Sequence, residues 1–61
     1  MNQEVTEDRR KEVFSALVSS QDGGLTVKES REQIAGQFDL SLDEVITIER
    51  AGISAKWPPL D

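Results

Sequence analysis

Residues 31 to 48 read REQIAGQFDLSLDEVITI, and the way this stretch divides decides the fold. Ile34, Ala35 and Phe38 recur at helical spacing, and the pattern then breaks at Asp39 and Leu40. Ser41 follows, with Glu44 three residues on. That pair is a capping box, in which the hydroxyl and the carboxylate satisfy two backbone N–H groups that a helix start leaves without partners. A new helix therefore opens at Ser41, with Val45, Ile48 and either Leu42 or Ile46 on its buried side. Its end is expected at Ala51-Gly52-Ile53. Gly52 suits the left-handed residue just past a helix, and Ile53 would pack back on Ile48 in a Schellman ending.

Working toward the N-terminus, Thr26 with Glu29 is a second capping box, and Ser30 with Gln33 matches the same pattern one turn later. The stripe Val27, Ile34, Ala35, Phe38 suits one continuous helix over about 26–38. Gly36 inside it either costs roughly 1 kcal/mol against Ala or marks a close backbone contact. Further back, Thr6 precedes Glu7 and Asp8, a capping hydroxyl followed by acids at the positive end of a helix dipole. Val13, Phe14, Leu17 and Val18 form the stripe of this first helix, with Ala16 beside it, and SSQDGG ends it near Ser20. Met1 to Val5 is a frayed lead-in. Beyond the third helix, 54–61 is read as a tail with room for one turn from Ser54. Pro58 disfavours helical geometry at Trp57. The expected fold is all-α: a single small domain over 1–61, with helices at about 6–20, 26–38 and 41–51 and a Trp-containing C-terminal tail packed on them.

The totals bound the function. Sixty-one residues bury only about 60% of the surface the unfolded chain exposes, so stability is marginal. The apolar share is 36%, against roughly 45–50% for an average globular domain. With no Cys there is no disulfide framework, and with no His the usual general base and imidazole metal ligand are missing. No enzyme, cofactor or metal site is expected. The net charge of −5 and a pI near 4.5 disfavour non-specific contact with DNA and anionic membranes. No apolar run approaches the ~20 residues of a membrane span, and MNQEVTEDRR lacks a signal-peptide core. Cytoplasmic residence is the expectation.

From Arg31 to Ile48 the chain resembles the helix-turn-helix of bacterial regulators, especially the C-terminal DNA-binding domain of sigma factors. The carrying residues are Ile34 and Ala35, Phe38 before the turn, Leu40 within it, and Val45 and Ile48 after it. A small residue at Ala35 lets two helices cross closely, and the other five fill the angle between them. The ending WPPL is similar to one found after such units in short bacterial proteins and implies no function. The resemblance implies a three-helix frame whose last helix reads DNA from its start and outer side. Two departures stand out. The turn carries Asp39 where the family has Gly. At the reading positions Ser41, Leu42, Asp43, Ile46 and Thr47, with Arg50 further on, the Arg, Lys, Asn and Gln that pair with bases in the major groove are nearly absent.

The leading expectation is therefore a small helix-turn-helix-like binding protein, associated with transcription through protein contacts. Its partner surface would comprise Leu42, Asp43, Ile46, Thr47 and Arg50, joined by Trp57 if that ring is an exposed anchor rather than core. In the core alternative Trp57 folds back, Pro58 and Pro59 aim Leu60 along the same surface, and the two apolar side chains cover Leu42 and Ile46. A DNA-binding dimer is the first alternative, with Arg9, Arg10, Lys28, Arg31 and Arg50 on phosphates. The competing reading pairs Arg9, Arg10 and Lys11 with Glu7, Asp8 and Glu12, and Lys28 and Arg31 with Glu29 and Glu32. The second alternative is a self-assembly module using Ile46, Trp57 and Leu60.

Overall fold

The computed structural model describes residues 6–58 and 60. Among them the chain forms three α-helices and no strand: α1 (Glu7–Asp22), α2 (Val27–Phe38) and α3 (Leu42–Ala55). The expectations for Met1–Val5 and for Pro59 fall outside the described residues.

Each helix starts on a hydroxyl. Thr6 Oγ1 accepts from the Arg9 N–H at 3.2 Å. Thr26 and Ser41 accept from the N–H groups of Glu29 and Glu44, each at 3.1 Å. The carboxylates of Glu29 and Glu44 reach back to the Thr26 and Ser41 N–H groups at 3.0 and 2.9 Å. The second capping box is therefore at Thr26 and not at Ser30. Ser30 instead lies wholly buried one turn into α2. Its hydroxyl donates to the Val27 carbonyl at 2.8 Å and accepts from Gln21 Nε2 at 3.1 Å. The start of α2 is thus pinned to the end of α1 by a hydrogen bond that leaves no buried polar atom unsatisfied.

The helix ends share one device. Gly24, Asp39 and Lys56 have φ of 108, 58 and 55°, left-handed in each case. The N–H after each reaches back five residues: Leu25 to Ser20 at 3.3 Å, Leu40 to Ala35 at 2.8 Å, Trp57 to Gly52 at 2.9 Å. This is the Schellman bond, and the residue donating it is apolar every time. It corrects two expected boundaries. α1 runs two residues past Ser20 to Asp22, and α3 passes through Gly52 and ends at Ala55. Residues 54 and 55, read as tail, are therefore helix. Gly52 is buried inside α3, and a Cβ there would lie within 2.6 Å of Cγ, Cδ1 and Cε1 of Phe14. Glycine is required by the close approach of α3 to the Phe14 ring, and not by a turn. Ile53, expected to fold back on Ile48, is 57% exposed.

Each helix packs against the other two. α1 contributes Val13, Phe14 and Leu17 to the core, α2 Ile34 and Ala35, and α3 Val45 and Ile48. Trp57 is 8% exposed, its ring edge-on to Phe14 with centroids 6.0 Å apart at 84°. Aromatic pairs favour this T-shaped arrangement because the positive ring edge meets the negative face. Phe38 and Leu40, partly buried, close the other side at the α2–α3 turn. Val27 was expected in the core stripe. As the first residue of α2 it lies at the rim instead, 48% exposed. Among the described residues no helix is long and apolar enough to cross a membrane.

Candidate functional site

The surface of α3 follows from its packing. Val45, Ile48 and Gly52 turn inward, so the residues between them face outward or sideways. The expected partner residues divide between two flanks. Leu42 and Ile46, one turn apart, line a cleft with Val27, Lys28, Arg31 and Glu32 from α2. Asp43 and Thr47, also one turn apart, line a second cleft with Arg10 of α1, Glu44 and Ile48. Arg50 is exposed beyond both.

Trp57 belongs to neither flank. It sits in the core cluster against Phe14, so its burial leaves it no role as an exposed anchor. Leu60, 49% exposed, lines a third cleft with Phe14, Leu17 and Ile53. Neither side chain lines the cleft of Leu42 and Ile46, and Leu42 remains 47% exposed. Trp57 and Leu60 therefore do not cover Leu42 and Ile46, contrary to the alternative in which the tail folds over this face.

The cations expected on phosphates are mostly engaged within the chain. Arg31 Nε donates to Glu49 Oε1 at 2.9 Å, and Nη2 reaches the same oxygen. The two side chains are 32% and 12% exposed, so the pair is held largely out of water and joins α2 to α3 with a charge-assisted bond. This differs from the expected pairing of Arg31 with Glu29 and Glu32, because Glu29 spends its carboxylate on the helix start. Arg9 donates to Glu12 at 2.8 Å while its guanidinium lies 4.6 Å from the Phe38 ring centroid. Lys11 lies 3.8 Å from Glu7. Arg10 is 5.7 Å from the Trp57 centroid, within cation–π range. Among the described residues only Lys28 and Arg50, of the five candidate phosphate contacts, have neither an ion pair nor a ring partner.

Two site residues escaped sequence reasoning. Nothing along the sequence singles out Glu49, which is the inward partner of Arg31. Eighteen positions separate the two, and no local spacing signals such a pair. Val27 reads as core because it fits the helical period of its stripe. Its place in the first turn of α2, at the rim of the three-helix core, is the signal available.

The two larger clefts, each about 340 Å³, sit at the bottom of the roughly 300–1,000 Å³ range of small-molecule sites. Both lie between helices: one has Val27, Leu42 and Ile46 as an apolar line, and the other has only Ile48 among charged and polar side chains. Among the described residues no three Asp or Glu side chains converge as a metal site requires. No family model matches the chain, and no curated protein or solved structure was found to be similar to it.

Proposed function

We propose that the chain is a small, non-enzymatic, helix-turn-helix-like protein with its C-terminal segment anchored on the helices through Trp57, acting by contact with another protein through the α2–α3 face. On this reading it works in the cytoplasm of a bacterium, close to the transcription machinery, as the resemblance of residues 31–48 implies. The observation that carries the proposal is the apolar line of exposed Val27 and Leu42 with half-buried Ile46, at the junction of α2 and α3. Exposed apolar patches rimmed by polar groups mark interaction sites. The contact set is Leu42 and Ile46 at the centre, with Asp43, Thr47 and Arg50 beside them. The engagement of Arg31 by Glu49 supports a protein over a nucleic-acid ligand, because one of the two cations lining the cleft is already neutralised.

The test is capture from native cell lysate, with and without nuclease, by the wild-type chain and by Leu42→Asp/Ile46→Asp. Retention of one partner after nuclease, lost with the double variant, is the expected result. Capture that disappears with nuclease overturns the reading in favour of DNA. In that case binding to mixed-sequence duplex falls steeply with salt.

A further inference from the structure

The two clefts that flank α3 have linings of opposite sign. Asp43 and Glu44 outnumber Arg10 in one, whereas Lys28 and Arg31 outnumber Glu32 in the other. On a molecule of net charge −5 the second cleft is a local exception, and it is also the one with the apolar line Val27, Leu42 and Ile46. Glu49 does not line it. That carboxylate is 12% exposed, faces the cleft of Ile53 and Leu60, and accepts from Arg31 Nε and Nη2 through a single oxygen. A guanidinium carries more N–H donors than these two, and the others on Arg31 have no partner among the described residues. Lys28 stands one turn before Arg31 on α2, exposed and without an ion pair among the described residues.

We propose that this cleft takes an amphipathic helix of a partner protein, with a carboxylate side chain of that helix against Arg31 and Lys28. This rests on the protein-contact reading above and names the partner's chemistry. Arg presents a planar fork of donors that matches a carboxylate. Glu49 already fixes the orientation of that fork, which lowers the ordering cost of binding. Two apolar side chains of the partner, one turn apart, cover Leu42 and Ile46, which repeat at the same spacing along α3. Glu32 sets the direction, because it repels a carboxylate from its end of the α2 edge and leaves the end at Lys28. A basic segment is drawn by the net charge, but in this cleft its cation would meet Lys28 and Arg31. Charges elsewhere on the molecule are screened beyond ~8 Å at physiological salt, so the lining decides. A phosphate backbone would meet the same two cations yet leave Val27 and Leu42 uncovered.

The test is titration of the full chain, followed by amide shifts, with a synthetic alanine-based helix of about 20 residues. It carries two leucines one turn apart and flanking glutamates; a second probe has lysines in place of the glutamates. The glutamate probe should bind with a dissociation constant on the order of 0.1–1 mM and shift Val27, Lys28, Leu42 and Ile46. It should bind at least ~5-fold tighter than the lysine probe, and Lys28→Glu should reverse that preference. Arg31→Lys, which keeps the charge but loses the fork, should weaken the glutamate probe at least ~3-fold. Circular dichroism checks that the helices persist. Lys28 is exposed, so its variant decides the matter even where the change at Arg31 unfolds the chain. Absence of binding at ~1 mM overturns the proposal, as do equal binding of the two probes and a preference that Lys28→Glu leaves unchanged. So do shifts confined to the cleft of Asp43 and Thr47, or mixed-sequence duplex DNA shifting Lys28 and Arg31 where the glutamate probe shifts neither. If the probes bind alike while Leu42 and Ile46 are still needed for nuclease-resistant capture from lysate, the acidic partner falls and the protein-contact reading stands. Capture that does not need Leu42 and Ile46, with the glutamate preference intact, has the opposite consequence.

Discussion

Gly36 and Gly52 both lie in the last turn of their helices, α2 and α3, and they do opposite things. Nothing lies within 4 Å of a Cβ built on Gly36, and the residue is exposed. Its effect is therefore the backbone entropy that glycine forfeits in a helix. Gly36→Ala should raise stability by about 0.5–1 kcal/mol, read as a higher urea midpoint with an unchanged slope. At Gly52 the same change gains that propensity but drives a methyl group into the Phe14 ring. Phe14 is 1% exposed and has no room to swing aside in a close-packed core. Gly52→Ala should lower stability by about 1–3 kcal/mol net, the range of overpacking. If Gly52→Ala proves neutral, α3 and the Phe14 ring do not approach as closely as the structure has them. Ser30 makes a smaller case of the same kind. Its hydroxyl ties Gln21 to α2 across the first turn, where a capping role would have been purely local.

At the scale of the helix, the sequence marks starts better than ends. A hydroxyl residue before a helical stripe is a local signal, legible at Thr6 and Ser41, while α2 offers two such starts, Thr26 and Ser30, of which the structure uses Thr26. An end is set by which residue takes the left-handed conformation, and tertiary packing can assign that to a residue other than glycine. At α3 the glycine is consumed by Phe14, so the left-handed position falls four residues later on Lys56, with φ 55°. A left-handed L-residue costs roughly 1–2 kcal/mol. Lys56→Gly should therefore stabilise the domain by about 0.5–1.5 kcal/mol. Asp39→Gly should gain less, because Asp tolerates this conformation better than Lys. Thermal unfolding of the two variants side by side gives the order, and a larger gain at Asp39 would contradict it. Between elements the link is Arg31 with Glu49. A double-mutant cycle with Arg31→Met and Glu49→Gln should return a coupling of about 1–3 kcal/mol, above the 0.2–1 kcal/mol usual for exposed pairs. A coupling near zero would place the pair among ordinary surface contacts.

For the whole molecule, the split between what was legible and what was not follows the range of the interactions. The helical stripes of α1 and α2, the turn at Asp39 and Leu40, and the inward set Val45 and Ile48 are local patterns, visible along the chain. The candidate face was half legible. Leu42 and Ile46 were named from the same pattern, but Val27 across the cleft and Glu49 behind it depend on how α2 and α3 lie together. Trp57 is the extreme of this dependence, since its contacts are with α1, more than forty positions away. At roughly 0.05–0.15 kcal/mol per residue, a domain of this length has about 3–9 kcal/mol of stability in all. Removing a buried aromatic side chain costs about 3–5 kcal/mol. Trp57→Ala should therefore remove at least about a third of that stability, whereas Trp57→Phe, which keeps an aromatic edge against Phe14, should lower the midpoint less. The wild-type chain offers an independent check, because Trp57 is its only tryptophan. If that ring shares one core with α1 and α3, its fluorescence and the helical circular dichroism must change together along a denaturant series. A fluorescence transition that precedes loss of helix would mean that the segment after α3 detaches on its own, and that the three helices hold without it.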